Sequence, residues 1–197
     1  MSTTNVLDRI AITIDDAGVA DVRLNRPDKM NALDPDMFQA LVQAADMLAA
    51  DPSVRCVVLS GEGRAFCAGL DFSSFQGMAD RPAKAEGESN PAGGALDGRI
   101  THHGQQAVYG WTEMPVPVIG AIHGHALGGG IQLALGTDIR FVHPETKMSV
   151  LEVRWGLVPS WVKDPADFTL LLNARSETAA GKPSFKTAMR HRRTLVP

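Results

Sequence analysis

The stretch VPVIGAIHGHALGGG, residues 116–130, places a short apolar run directly before a glycine-rich turn. Residues 54–60 lead in the same way into the stretch AFCAGLD, residues 65–71. Short apolar runs of this kind are typical of buried strands in parallel sheets. We expect a helix after each turn, the second of them running through Leu135. Strands that alternate with helices predict an α/β fold.

The other predicted elements agree with α/β layering. The pair Asp34-Pro35 predicts a helix start, because Asp can accept hydrogen bonds from free N–H groups and Pro tolerates the first helical position. A stretch rich in Ala, Gly, Glu and Pro, residues 77–98, is typical of a surface loop. Further strands are predicted at residues 10–14, 19–24 and 138–142, and helices at residues 35–50 and 100–114.

The two glycine turns are candidates for binding a negatively charged oxygen. Helix N-termini leave backbone N–H groups unpaired and partly positive, and glycine lets the backbone approach a ligand closely. Two such turns facing each other could donate two N–H bonds to one developing oxyanion. The alternative is that the glycines only make tight turns between strand and helix.

An oxyanion site needs a group that moves a proton. Glu152 stands in an apolar stretch, and apolar surroundings raise the pKa of a carboxyl group toward the range of a general base. The alternative for Glu152 is a salt bridge, for example with Arg154. Gln132, just after the three glycines, can orient a water or a carbonyl but cannot exchange a proton.

Other reactive residue types point to no separate chemistry. His123 and His125 have the spacing of a metal pair, but no third ligand is evident, so we expect no metal site. Cys67 is interpreted as a small buried hydrophobic residue rather than a nucleophile. Ser176 and Ser184 lack the context of an acyl-transfer triad.

Composition excludes several classes of protein. Of 197 residues, 44% are apolar and 21% charged, which is ordinary globular usage and excludes wholesale disorder. No run approaches 18 apolar residues, so we expect no membrane span. The first residues lack the features of a signal peptide, and two cysteines suit a reducing compartment, so a cytoplasmic location is expected. A net charge of −3 argues against a protein that mainly coats nucleic acid.

The charge changes sign along the chain. Residues 1–153 carry 11 Lys and Arg against 19 Asp and Glu, a net of −8. Residues 154–197 carry 8 against 3, a net of +5. Such a switch can mark two functional surfaces or two origins, or simply a basic tail on an acidic domain.

Residues 8–159 resemble the crotonase superfamily, the enoyl-CoA hydratase and isomerase group. The resemblance lies in LNRP (24–27), NAL (31–33), FCAGLD (66–71), HGHALGGG (123–130), DIR (138–140), and Glu152 with GLVP (156–159). It implies a spiral of ββα turns and the stabilisation of an acyl-CoA thioester enolate. Coenzyme A would enter as part of the substrate, no separate cofactor would be needed, and the chain would form homo-oligomers, either trimers or hexamers.

The resemblance also implies roles for individual residues. The oxyanion would be bound by the N–H groups of Leu70 and Gly129, and Glu152 would shuttle the proton. Gln132 replaces a carboxylate that typical hydratases use together with a second one, which favours isomerase-like or other enolate chemistry over hydration. The substrate would be bound along two segments and one further glycine: Lys29, Met30, Asn31 and Ala32; Ala68, Gly69 and Asp71; and Gly128.

Residues 154–197 resemble a second family, the SOS-response-associated peptidase (SRAP) proteins. The motifs are RWGLVPSW (154–161), NARSET (173–178) and KPSF (182–185). The two resemblances overlap at GLVP and imply a chimera: a C-terminally incomplete crotonase-like domain, residues 1–159, followed by a basic SRAP-like fragment, residues 160–197. Position 2 is Ser2 where the SRAP family has its cysteine nucleophile, so SRAP chemistry and nucleic-acid binding are not expected. The hypotheses are thus an acyl-CoA enzyme, a single-stranded-DNA-binding module, or an inactive truncated fold.

Overall fold

The computed structural model describes residues 3–71, 73 and 98–150. These residues belong to one compact unit, Met1–Leu151, and the second unit, Glu152–Pro197, lies outside the described residues. Several predicted features therefore also lie outside the described residues. They are residues 77–97 of the predicted loop, Ser2, Glu152, Arg154, Ser176, Ser184 and the SRAP-like segment.

A six-stranded mixed sheet forms the centre of this unit, in the spatial order β1-β2-β3-β4-β5-β7. The first three strands are antiparallel, and the pairs β3–β4, β4–β5 and β5–β7 are parallel. The remaining strands, β6 and β8, pair in parallel as a separate two-stranded sheet. The strands are β1 Thr3–Val6, β2 Ile10–Ile14, β3 Val19–Leu24, β4 Cys56–Gly61, β5 Val118–Ile122, β6 His125–Leu127, β7 Ile139–Val142 and β8 Lys147–Ser149.

Three α-helices and one short 3-10 helix connect the described strands. The 3-10 helix is Pro27–Lys29, and the α-helices are α1 Pro35–Ala50, α2 His103–Thr112 and α3 Gly129–Leu135. Helix α1 begins as predicted, since the Asp34 carboxylate accepts a hydrogen bond from Met37 N at 2.8 Å and Pro35 is the first helical residue. Helix α1 packs against α2, and both contribute buried side chains to the core.

The parallel pairing brings the two glycine turns to one edge of the sheet. Val57 of β4 pairs with Val118 of β5, and Leu59 pairs with Gly120. Because parallel strands end at the same edge, the chain leaves β4 and β5 side by side, which is where α/β sheets commonly bind ligands. The α/β prediction is confirmed, and β2, β3 and α1 form one ββα unit.

Three features of the strands differ from the sequence prediction. The strands predicted from residues 54 and 116 begin at Cys56 and Val118, two residues later in each case. Strand β6 forms inside the segment predicted as a turn, because its partner β8 lies about twenty residues further along the chain and local sequence does not reveal this pairing. Strand β1 was not predicted either; it pairs with β2 at the sheet edge.

Candidate active site

The turn after β4 is hydrogen-bonded to the segment after β5. Phe66 N donates to His123 O at 2.9 Å, and Cys67 N donates to His125 O at 2.9 Å. In return Leu127 N donates to Cys67 O at 3.0 Å. The two segments that sequence analysis singled out are therefore adjacent in space and joined by backbone hydrogen bonds.

The other side of the same turn is hydrogen-bonded to residues 30–33. Ala68 N donates to Met30 O at 2.9 Å, and Leu33 N donates to Gly69 O at 2.7 Å. Asp71 N then donates to Leu33 O at 3.0 Å. Residues 66–71 thus run between two backbone segments and are held from both sides.

Gly69 reverses the direction in which the next amide points. In an extended strand N–H groups alternate in direction, so Ala68 and Leu70 would face the same side. Here Ala68 N–H and Asp71 N–H both face the 30–33 segment, and Leu70 N–H faces away from Leu33. The φ of Gly69 is +89°, which glycine adopts readily and which permits this change. Within the described part of the chain, Leu70 N–H donates no hydrogen bond.

The second turn presents an amide at the start of α3. Gly128 has φ +52° and ψ −120°, a conformation suited to glycine, and its N–H donates to Ser149 O at 2.8 Å. Its carbonyl accepts from Ile131 N at 3.1 Å and from Gln132 N at 3.3 Å. Gly129 is the first helical residue, and the N–H of such a residue has no partner within a helix. Among residues 3–71, 73 and 98–150, Gly129 N–H has no acceptor.

The two glycine turns touch each other without an intervening side chain. A Cβ placed on Gly69 would lie 2.6 Å from Leu127 O and 3.6 Å from Gly128 Cα. Leu70 and Gly129 each follow one of these contacting glycines. The fold therefore brings together two backbone amides that have no acceptor among the described residues, next to the positive end of a helix dipole.

Asn31 supports this arrangement from the inside. Its side chain is fully buried; Oδ1 accepts from Arg26 N at 2.8 Å, and Nδ2 donates to Glu62 O at 2.9 Å and Ala65 O at 2.8 Å. Its φ of +55° lies in the left-handed region, which Asn tolerates better than most residues. Its carbonyl accepts from Cys67 Sγ at 3.1 Å. The side chain of Asn31 thus holds backbone segments together, and its polar atoms are used within the protein.

The neighbours of Asn31 differ in exposure. Lys29 is exposed at the end of the 3-10 helix, and Met30 is partly exposed with a φ of +50°. Ala32 is buried, whereas Ala68 on the facing segment is partly exposed. Of these residues Lys29, Met30 and Ala68 are accessible to a ligand.

Asp71 is a buried carboxylate in a salt bridge. Its Oδ1 accepts from Ser73 N at 3.0 Å and Ser73 Oγ at 2.6 Å, and its Oδ2 accepts from Arg26 Nη1 at 2.7 Å. The hydrogen bond from Ser73 Oγ, with the bond from Arg26, outweighs burial and lowers the pKa of Asp71 to about 2. Asp71 is therefore ionised at neutral pH, and both of its oxygens have partners inside the protein.

Arg26 belongs to a network that sequence analysis did not assign to the site. Its Nη1 also donates to Ala32 O at 3.2 Å and lies 3.5 Å from Asp34 Oδ2. Arg9 in turn donates to both oxygens of Asp34, at 2.9–3.2 Å. Burial raises the pKa of Asp34, but the bonds from Arg9 and from Met37 N outweigh it and the pKa is lowered. No local signal predicts the Arg26–Asp71 contact, since 45 residues separate the two.

The remaining candidates have the following positions. Gln132 is exposed on α3, near its start, and Glu152 lies outside the described residues. Cys67 is fully buried, and desolvation raises the pKa of its thiol to about 12, which suits the predicted structural role. His123 Nε2 lies 2.9 Å from Gly63 O.

In the described ranges no cluster of three or more His, Cys, Asp or Glu side chains could hold a metal ion. The helices described there are all too short or too polar to span a bilayer.

Comparison with known proteins places the chain in a family. The family model described as "Enoyl-CoA hydratase/isomerase" matches residues 15–167. Enoyl-CoA hydratase EchA19 of Mycobacterium tuberculosis is 34% identical over 138 residues, which are 70% of this chain and 48% of that protein. The peroxisomal Delta(3,5)-Delta(2,4)-dienoyl-CoA isomerase of Arabidopsis thaliana is 32% identical over 143 residues, 73% of this chain and 51% of that protein.

A solved structure agrees with these matches. The chain is similar to an enoyl-CoA hydratase/carnithine racemase from Magnetospirillum magneticum, with a TM-score of 0.63 and 31% identity, over 81% of this chain and 54% of that one. The chain belongs to the enoyl-CoA hydratase/isomerase family, and the crotonase resemblance of the sequence is confirmed. It spans about half the length of the curated relatives it matches.

Proposed function

We propose that the chain acts on acyl-CoA thioesters and shifts a carbon–carbon double bond through a thioester enolate. Membership of the enoyl-CoA hydratase/isomerase family supports this reaction class. A base removes a proton from the carbon next to the thioester carbonyl. The negative charge collects on the thioester oxygen, and the proton returns to a different carbon. The thioester oxygen would accept hydrogen bonds from Leu70 N–H and Gly129 N–H.

The observation that carries the proposal is the pair of backbone amides without acceptors among the described residues. Leu70 N–H faces away from Leu33 because of the positive φ of Gly69, and Gly129 N–H is the first amide of α3. Donors that are fixed before the reaction stabilise a developing negative charge without reorganisation, and each is typically worth about 3 kcal/mol of barrier. Two of them can therefore supply much of the stabilisation that an enolate needs.

The crotonase resemblance supports the assignment of the proton shuttle and the choice between isomerisation and hydration. Glu152 is proposed to carry the proton between the two carbons, which requires one carboxylate only. Gln132 would orient the substrate or a water, because an amide cannot exchange a proton at neutral pH. Isomerisation is therefore favoured over hydration, and the similarity to a dienoyl-CoA isomerase is consistent with this choice. Hydration is the second candidate, supported by the similarity to EchA19.

The substrate would lie over the glycine turns, with its coenzyme A portion beside residues 29–32. Lys29 is exposed and positively charged, which suits a phosphate-bearing ligand, and Met30 and Ala68 offer accessible surface. Ala32, Gly69 and Gly128 would form the backbone wall of this path. Asn31 and Asp71 are assigned a supporting role beneath it, since their polar atoms are bonded internally. Coenzyme A is part of the substrate, and no separate cofactor is proposed.

A pair of substitutions at Gly129 tests the proposal. Proline is tolerated at the first position of a helix and has no N–H, so Gly129→Pro removes one oxyanion donor with little cost to α3. Gly129→Ala is the matched control: it also adds a Cβ, which would meet Leu33 Cδ1 at 2.6 Å, but it keeps the N–H. With a short enoyl-CoA as substrate, Gly129→Pro should lower kcat about 10²–10³-fold relative to Gly129→Ala. Equal turnover in the two variants would contradict the role of this amide.

Several assignments remain proposals beside this one. The chain is proposed to self-associate as trimers or hexamers, which light scattering on the purified protein would measure. A cytoplasmic location is proposed, although two relatives are named as peroxisomal. The division at residue 159 and the SRAP-like character of residues 160–197 stay predictions; the family match extends to residue 167, eight residues past that boundary.

A further inference from the structure

The Arg26 guanidinium joins the 30–33 segment to the turn that carries the proposed oxyanion donor Leu70. Its Nη1 donates to Ala32 O at 3.2 Å on one segment and to Asp71 Oδ2 at 2.7 Å on the other. Asp71 immediately follows Leu70. The side chain of Arg26 is 17% exposed and that of Asp71 is 7% exposed, so water screens their interaction weakly.

The peptide group that carries Leu70 N–H is held through its own carbonyl. Gly69 O lies in the same plane as Leu70 N–H and accepts from Leu33 N at 2.7 Å, and Asp71 N of the next peptide group donates to Leu33 O at 3.0 Å. Gly69, at φ +89°, belongs to the residue type with the greatest backbone freedom, so it adds little stiffness of its own. Gly69 has no side chain that could hold the turn before Leu70. After Leu70, the Asp71 side chain is held by Arg26.

Arg26 also balances a charge that would oppose the reaction. An ionised carboxylate one residue from an oxyanion donor raises the energy of a negative charge developing there. The groups facing Asp71 are Arg26 and Ser73, and the next charges along the network are Asp34 and Arg9. Arg9 neutralises Asp34, with which it makes a paired contact, so the positive charge of Arg26 is available to Asp71.

We propose that Arg26 is a positioning residue: through Ala32 O and the Asp71 carboxylate it holds the Asp71 end of the turn against the 30–33 segment and neutralises the carboxylate beside the Leu70 amide. This inference rests on the proposed function, because it assigns Leu70 N–H to a thioester oxygen. Arg26 itself does not contact the reacting atoms. Its loss should raise the barrier of the chemical step and leave substrate binding nearly unchanged.

Arg9 provides a matched control for Arg26. It belongs to the same network, is 22% exposed, and contacts Asp34 but not Asp71. Arg26→Gln and Arg9→Gln each remove one positive charge and should destabilise the fold to similar extents in chemical denaturation. We expect Arg26→Gln to lower kcat at least 10-fold with KM within about twofold, and Arg9→Gln to leave kcat within about twofold. Arg26→Lys, which keeps the charge and a donor, should recover part of the lost kcat.

A vibrational measurement separates this inference from the proposed function. Hydrogen bonds to a thioester carbonyl lower its stretching frequency, which infrared difference spectra of bound ¹³C-labelled crotonyl-CoA report directly. The shift should be present in the wild type and in Arg9→Gln, and smaller in Arg26→Gln and Asp71→Asn. If the wild type shows neither turnover nor a shift, the proposed function fails. If the wild type shows both, and Arg26→Gln matches Arg9→Gln in kcat and in frequency, only the positioning role is overturned. If Arg26→Gln does not fold, the same comparison is decided by Asp71→Asn.

Discussion

Replacement of Gly69 by alanine perturbs the contact between the two turns of the site. Gly69 has a φ of +89°, and a Cβ at this position would lie 2.6 Å from Leu127 O, well inside normal van der Waals distance. The atom it meets belongs to the backbone of β6, so it cannot move aside as a side-chain end would. Gly69→Ala therefore changes both the local backbone energy and the spacing between Leu70 and Gly129.

The expected destabilisation has two parts. The positive φ costs an L-residue about 1–2 kcal/mol, and the lower entropy of alanine in the unfolded chain offsets a fraction of this. Overpacking against a backbone carbonyl adds about 1–3 kcal/mol. Gly98→Ala measures the cost of the positive φ alone. Gly98 has a φ of +76°, and a Cβ placed on it would meet no described atom within 4 Å. We expect Gly98→Ala to cost about 1 kcal/mol and Gly69→Ala about 3 kcal/mol.

Urea denaturation of the two variants and the wild type measures this difference. Midpoints compared at equal m-values give the change in the free energy of unfolding. Turnover of a short enoyl-CoA, measured in parallel, should fall at least 10-fold in Gly69→Ala and stay unchanged in Gly98→Ala. Equal destabilisation of the two variants would show that the turns do not press against each other. Full turnover in a destabilised Gly69→Ala would show that their spacing does not matter for the reaction.

Three further predictions concern Asn31, Asp71 and Glu152. Asn31→Ala should cost about 2–4 kcal/mol in denaturation, because it leaves buried partners without a hydrogen bond, and should leave KM unchanged, because its polar atoms face inward. The pKa of Asp71 is lowered from 3.8 to about 2, so the ionised carboxylate adds about 2 kcal/mol to the free energy of unfolding above pH 4. This contribution is lost as the pH falls toward 2. Asp71→Asn should therefore weaken the pH dependence of the free energy of unfolding, measured by denaturation between pH 5 and pH 2.5. Glu152→Gln should lower the isomerisation rate about 10²–10⁴-fold in a spectrophotometric assay, and an unchanged rate would exclude Glu152 as the shuttle.

Sequence patterns predicted the elements that local chemistry determines. Helix α1 was predicted within a residue, because Asp34 and Pro35 satisfy the free amides at its start regardless of the rest of the fold. Strands β2 and β3 were predicted to the residue, because β-branched residues flank a turn at Asp15–Gly18 in which Asp15 accepts from two backbone amides. These signals need no partner that is distant in the sequence.

Two of the features that were missed depend on distant partners. Strand β6 has three residues and pairs with β8, and Arg26 reaches a carboxylate 45 residues away. Neither contact has a period or a cap that local sequence would display. The resemblance implied Leu70 and Gly129 as donors, which stays a prediction, but it did not separate the residues whose polar atoms face a ligand from those whose polar atoms face the protein.

Several polar residues lie close to a site made of backbone groups because their polar atoms face the protein and hold the backbone in place. A backbone N–H lies in one plane with the carbonyl of the preceding residue, so its direction depends on the contacts that hold this peptide plane and the segments beside it. Asn31 bonds the carbonyls of Glu62 and Ala65 ahead of the turn, and Arg26 bonds the carboxylate that follows Leu70. In a site where the chemistry is carried by N–H groups, side chains that bond to backbone segments and charges inside the protein are therefore the ones whose replacement should change the reaction without changing what binds.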